Sequence, residues 1–258
     1  HVYFQDLELR YRKELDLVLK GVTLDIAPGT KVGVVGRTGA GKSSLMVALL
    51  RLVEPTRGTI TVDGVDITTI GLEDLRHGIT IIPQDPVMFS GSIRFNIDPF
   101  KEYEDAELWN VLDKAHLKGF VSQLEGGLDG RVSEYGENLS AGQRQLICLA
   151  RALLRKPRVL IMDEATSSVD HETDQMIQET VRSEFSTATI LTIAHRLWTI
   201  ADYDTCLVMA NGEVGEYAPP IELLRNEHGL LTSMVNSLGV QQSQNFKELV
   251  SKRSGLIG

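Results

Sequence analysis

Residues Lys31 to Arg51 read KVGVVGRTGAGKSSLMVALLR. A Val-rich run stops at Gly36. From there Gly36, Gly41, Lys42 and Ser43 fit G-x-x-x-x-G-K-[ST], with Gly39 inside the gap. Small residues let successive backbone N–H groups converge on one point, and the helix that follows adds the positive end of its dipole. Lys42 would reach the β- and γ-phosphates of a nucleotide as a point charge, and the Ser43 hydroxyl would take a place on Mg²⁺. A Gly-rich turn that binds nothing would not need strand, loop and helix in this order.

Composition bounds the classes open to the chain. With 258 residues it can bury a full core, and 42% hydrophobic with 24% charged residues is ordinary for a globular protein. A net charge of −9 argues against a domain whose main task is gripping nucleic acid. Cys148 and Cys206 sit in the apolar runs LICLARALL and TCLVMA, which implies buried free thiols and a reducing, cytosolic setting. No apolar run is long enough to span a bilayer, and no signal peptide is expected at the N-terminus. Work at a membrane would be done through another segment or partner, without insertion of this one.

On the N-terminal side of the loop, Leu7, Leu9 and Tyr11 alternate with Glu8 and Arg10, and Val22, Leu24 and Ile26 alternate with Thr23 and Asp25, the pattern of half-buried antiparallel strands. Tyr11, closing the first, would stack on an adenine ring or pack at a sheet edge. On the C-terminal side, Leu45, Ala48, Leu49 and Leu52 share a helix face, and GTITVDGVDIT predicts more antiparallel β. A core strand, ITII, is closed by Pro83, and Gln84 follows, either as a loop residue or as a ligand through its amide oxygen.

From Asp85 to Lys156 the spacing becomes helical, with Leu108, Val111, Leu112 and Ala115 on one stripe and Leu146, Leu149, Ala150, Leu153 and Leu154 on another. Ser140 is an N-cap candidate for the second helix, and Gly142 permits close approach to the backbone there. A buried strand, VLIMDE, then ends in Asp163 and Glu164, either a solvated pair or, beside a phosphate loop, carboxylates able to hold Mg²⁺ and to orient a water. Asp170 is a candidate cap for a helix from His171, and His195 ends the strand TILTIA. One helix is expected after Pro219-Pro220, and the polar segment from Gly239 is expected to be extended or poorly ordered.

Tyr11, GRTGAGKS (Gly36 to Ser43), Gln84, LSAGQ (Leu139 to Gln143), VLIMDE (Val159 to Glu164), SSVD (Ser167 to Asp170) and His195 together resemble, in kind and order, the nucleotide-binding domain of an ABC transporter. LSAGQ carries the specificity, because the other motifs say only P-loop NTPase. IIPQDPVMFSGSIRFNIDPF, ENLSAGQRQLICLARALLRK and LTIAHRL further resemble the C subfamily, the multidrug-resistance-associated group, and in particular its second nucleotide-binding domain.

The resemblance implies an α/β fold: a P-loop NTPase core of mixed sheet and flanking helices with an antiparallel β subdomain (1–84 and 157–236), an inserted α-helical subdomain (85–156) and a C-terminal tail (237–258). It implies ATP and Mg²⁺. Adenine would stack on Tyr11, and Gly36, Arg37, Thr38, Gly39, Ala40, Gly41, Lys42, Ser43 and Ser44 would surround the phosphates. Ser43, Gln84 and Asp163 would hold the metal, with Glu164 as general base or water-positioner and His195 on the γ-phosphate. Ser140, Ala141, Gly142 and Gln143 would serve the nucleotide of a second such domain packed head to tail.

The implied partners are that second domain and the transmembrane domains of an exporter of organic anions, conjugates or drugs, at the cytoplasmic face of a membrane. A regulatory nucleotide sensor of a channel or receptor in the same subfamily is the alternative. A soluble ABC ATPase acting on ribosomes or DNA fits less well, since the chain has one motif set and an acidic balance. Two departures stand out: Ala141 where Gly is usual, which requires negative φ there, and Tyr135 where a smaller residue is frequent.

Overall fold

A computed structural model describes residues 1–163, 169–194 and 196–255. They form two compact units, His1–Arg76 with Thr189–Gly258, and His77–Ala188. The first unit opens with β1 (Val2–Leu9), β2 (Leu19–Ile26), β3 (Lys31–Gly36), α1 (Lys42–Leu49), β4 (Arg57–Val62) and β5 (Val65–Asp66), and α2 (Leu72–Gly78) leads out of it. The second holds β6 (Ile79–Ile82), β7 (Gly91–Ser92), α3 (Ile93–Ile97), α4 (Asp105–Lys114), α5 (Lys118–Gln123), β8 (Arg131–Val132), α6 (Ala141–Arg155), β9 (Val159–Asp163) and α7 (His171–Glu184). The first then resumes with β10 (Thr189–Ile193), β11 (Thr205–Ala210), β12 (Glu213–Ala218), α8 (Pro220–Leu223), α9 (Leu230–Asn236) and α10 (Val240–Ser254).

In the first unit, β2, β1, β4 and β5 make an antiparallel sheet in that order. Val2, Phe4, Leu7 and Leu9 of β1 are all fully buried, which strict alternation would not allow. A bulge between Phe4 and Leu7, with Asp6 at φ 45°, resets the phase so that both pairs face the core. The chain then leaves the sheet, so Tyr11 lies beyond the end of β1 rather than closing it.

The second sheet of this unit runs β12, β11, β3, β10, with β3 parallel to both its neighbours. Covered on both faces, β3 reads as a continuous apolar run, and Val32, Val34 and Val35 are buried. β11 turns into antiparallel β12 through Asn211 and Gly212, at φ 52° and 87°, as a two-residue hairpin turn demands.

Three further sequence expectations in this unit need correction. α1 stops at Leu49, Arg51 takes φ 46°, and Leu52 is 60% exposed instead of continuing the apolar face. The helix expected after Pro219-Pro220 is two helices, because the Glu216 carboxylate accepts the backbone N–H groups of Leu230 and Leu231 (2.8 and 2.9 Å) and starts α9 afresh. The segment from Gly239, expected to be extended or poorly ordered, forms α10. Its polar composition hides Phe246, Leu249 and Val250 at helical spacing. Phe246 is fully buried, with its ring edge-on to Trp198 at 5.7 Å.

In the second unit β6 and β9 pair in parallel, Ile79 opposite Val159 and Ile82 opposite Met162. The helical segment expected over 85–156 lies wholly within it, beside these strands and α7. α6 is its central helix: Ile147, Leu149, Ala150 and Ala152 are fully buried. α7 starts at His171 as expected, its Asp170 cap accepting from Thr173 N–H at 3.0 Å.

Candidate functional site

The phosphate-loop sequence folds as its glycines require. Gly36, Gly39 and Gly41 take φ of 152°, 79° and 102°, outside the range open to most side chains, and α1 begins at Lys42. A Cβ on Gly36 would stand 2.4 Å from the Met209 carbonyl oxygen, so this strand end needs glycine for space as well as conformation. Gly39 faces open space, leaving its backbone approachable. Lys42 is buried, and its Nζ donates to the carbonyls of Gly36 (2.9 Å) and Arg37 (3.2 Å), holding the ammonium at the centre of the loop. Arg37, Thr38 and Ser43 are exposed, while Ala40 and Ser44 are buried.

Tyr11 is brought to this loop. Its hydroxyl lies 3.0 Å from Ser44 Oγ in the first turn of α1, and the residue is 45% exposed. The sequence reading missed what supports the loop from behind. Gly212 N–H donates to the Ala40 carbonyl (3.0 Å) and its own carbonyl accepts from Lys20 N–H (2.9 Å). The β11–β12 turn is thus wedged between the phosphate loop and β2, and Gly41 approaches Val18 and Leu19 so closely that a Cβ would meet them at 3.1 Å. An Asn-Gly pair is a turn signal in sequence, but nothing local names its long-range partner.

In the second unit Gln84 and Asp163 leave the same end of two paired strands: Ile82 is opposite Met162, so Asp163 follows one position and Gln84 two positions beyond that pair. Gln84 is exposed and Asp163 partly buried. Glu164, His195, Ser167 and Ser168 lie outside the described residues.

Ser140 to Gln143 form a complete capping box at the start of α6. Ser140 Oγ accepts from Gln143 N–H at 3.1 Å, and Gln143 Oε1 accepts from Ser140 N–H at 2.9 Å. Ala141 is the first helical residue and has no positive φ, so the condition on this departure from Gly is met. Gly142 has a packing reason of its own. A Cβ there would come within 3.0 Å of Thr173 Oγ1 in the first turn of α7. The turn before the box is held by Arg144, which donates to the carbonyls of Gly136 (3.3 Å) and Leu139 (2.8 Å). Asn138 helps, bonding Ser133 N–H (2.9 Å) and the Arg131 carbonyl (2.8 Å). Tyr135 adopts φ 54° there and is 73% exposed.

In the first unit the loop suits the phosphates of a nucleotide, offering glycine backbone around a buried ammonium with the Ser43 hydroxyl beside it; in the second, the paired strand ends offer Gln84 and Asp163, oxygen ligands of the kind a hard cation takes. Among the described residues no three His, Cys, Asp or Glu side chains form a metal cage. A cation bound by one carboxylate and substrate phosphates needs none. Both cysteines are buried and free, and burial raises both thiol pKa values, so neither offers thiolate chemistry.

Residues 19–167 match the sequence model of the ABC transporter family. The chain is 55% identical, over 96% of its length, to ATP-binding cassette sub-family C member 2 of Rattus norvegicus. It is 53% identical, over 99% of its length, to ABC transporter C family member 12 of Dictyostelium discoideum. It spans 16% and 19% of those two relatives. A solved structure of a bacterial Atm1-family ABC exporter with ATP bound superposes with a TM-score of 0.86 at 36% identity, covering 93% of this chain and 42% of the exporter chain.

Proposed function

We propose, since this chain belongs to the ABC transporter family and is an ATP-binding domain homologous to those of C-subfamily transporters, that it is one of two ATPase domains driving export across a membrane. The observation that carries this is the phosphate loop: three glycines at positive φ leading into α1, with the Lys42 ammonium held at its centre. Tyr11, fixed against Ser44, would stack on adenine. The backbone from Gly36 to Ser44 would wrap the phosphates, and Lys42 would exchange its carbonyl partners for β- and γ-phosphate oxygens.

Ser43, Gln84 and Asp163 would hold Mg²⁺, which supplies charge neutralisation at the phosphates when bound. Glu164 would orient and deprotonate the attacking water, and His195 would contact the γ-phosphate. The capped start of α6, Ser140 to Gln143, would close over the nucleotide of a second domain packed head to tail. ATP then bridges two domains, and hydrolysis removes the bridge. The partners are that domain and transmembrane domains, which would dock near Gln84. The chain itself has no described helix long and apolar enough to cross a membrane.

Two substitutions test this. Lys42→Ala should weaken ATP binding about tenfold or more, whereas Glu164→Gln should bind ATP like wild type, lose hydrolysis and accumulate as a dimer in light scattering. If wild type and Glu164→Gln bind alike and neither hydrolyses above background in the presence of the partner domain, the motor reading fails and the regulatory one replaces it.

A further inference from the structure

Helix α6, whose first turn is the Ser140–Gln143 box, sends two side chains to the segment that follows β6. Gln145 is fully buried, and its Nε2 donates to the Pro83 carbonyl at 3.0 Å. Arg151, further along, donates to the carbonyl of Val87 (2.9 Å), to Asn96 Oδ1 (3.0 Å) and to the Asn96 carbonyl, with its guanidinium 6.0 Å from the centre of the Phe89 ring. One helix thus anchors the segment on both sides of Gln84, Asp85 and Pro86.

The Gln145 contact is odd as a source of stability. Its Oε1 is buried and has no hydrogen-bond partner among the described residues, so half of a desolvated amide is left unpaired. An apolar side chain of equal size would avoid that cost, though it would leave the Pro83 carbonyl without this donor. What the amide does achieve is to fix the peptide plane joining Pro83 to Gln84, and hence where the Gln84 side chain starts, next to the strand that ends in Asp163.

We propose that Gln145 is a positioning residue for Gln84, tying the cation-holding strand ends to the same helix that begins at Ser140. This rests on the reading that Gln84 and Asp163 serve a divalent cation. A ligand engaging Ser140 to Gln143 would then be felt at Gln84 through α6.

The test is Mn²⁺ binding, followed by electron paramagnetic resonance, to this chain with a saturating non-hydrolysable ATP analogue. Gln84→Ala, Gln145→Met and Gln145→Glu are compared with wild type. Gln145→Met removes the donor at nearly constant volume, and Gln145→Glu sets an acceptor against the Pro83 carbonyl. Both should weaken Mn²⁺ about tenfold, as loss of a partner supporting a metal ligand does. Binding of the analogue in EDTA should stay at wild type. Wild-type Mn²⁺ affinity in both Gln145 variants, with Gln84→Ala weakened, overturns the proposal and leaves the cation reading standing. Wild-type affinity in Gln84→Ala overturns the cation reading, and the proposal with it.

Discussion

Gly36 and Gly39 sit three residues apart in one loop, both at positive φ, yet their surroundings differ. Around Gly36 a Cβ has no room against the Met209 carbonyl, while around Gly39 it meets nothing within 4 Å. Gly39→Ala should cost about 1–2 kcal/mol, the conformational penalty alone. Gly36→Ala should cost more than about 3 kcal/mol, because the β11 backbone must also move. Urea denaturation of the two variants decides this, and equal losses would mean that β11 yields freely. The motif fixes Gly36 and leaves Gly39 open; the difference between them belongs to Met209, far along the chain and invisible to any local pattern.

Helix caps show how far element-level reading reaches. Ser140 and Asp170 were legible as caps because the chemistry is local, one side chain three residues before the amide it accepts from. Thr173 also gives Asp170 its hydroxyl at 2.8 Å, and its N–H and hydroxyl hold the carboxyl below the usual carboxylate range. A lowered folded pKa means a contribution present above the unfolded value, about 3.9, and lost as pH falls through the folded one. Asp170→Asn keeps the acceptor but not the charge. Its stability should therefore fall less steeply than that of wild type below about pH 4 in urea titrations at stepped pH. α10 is the opposite case. Its apolar residues, sparse in a polar segment, carry meaning only beside Trp198 and the cluster of Val35, Val208 and Leu231. Phe246→Ala should destabilise the first unit by about 3–5 kcal/mol, measurable as a lowered Tm.

At the scale of the molecule, the proposal that LSAGQ serves another domain's nucleotide has a kinetic consequence. The chain alone should bind MgATP and hydrolyse it slowly, with a rate rising as the square of protein concentration while dimers are scarce. A fast rate strictly proportional to concentration would show a self-sufficient site and remove the need for a partner.

The amino-acid sequence alone determined that a phosphate loop exists, that a capped signature helix exists, and that the chain belongs with one transporter family, because each is written in short motifs whose residues lie within a few positions of one another. Tertiary structure alone decided that Gly212 wedges the loop from behind and that Gly142 is small for Thr173. It also decided that Gln145 reaches Pro83 and that the polar C-terminal segment is a packed helix. Those are contacts between distant segments, and a one-dimensional pattern records which groups a residue offers without recording which ones the fold places opposite it.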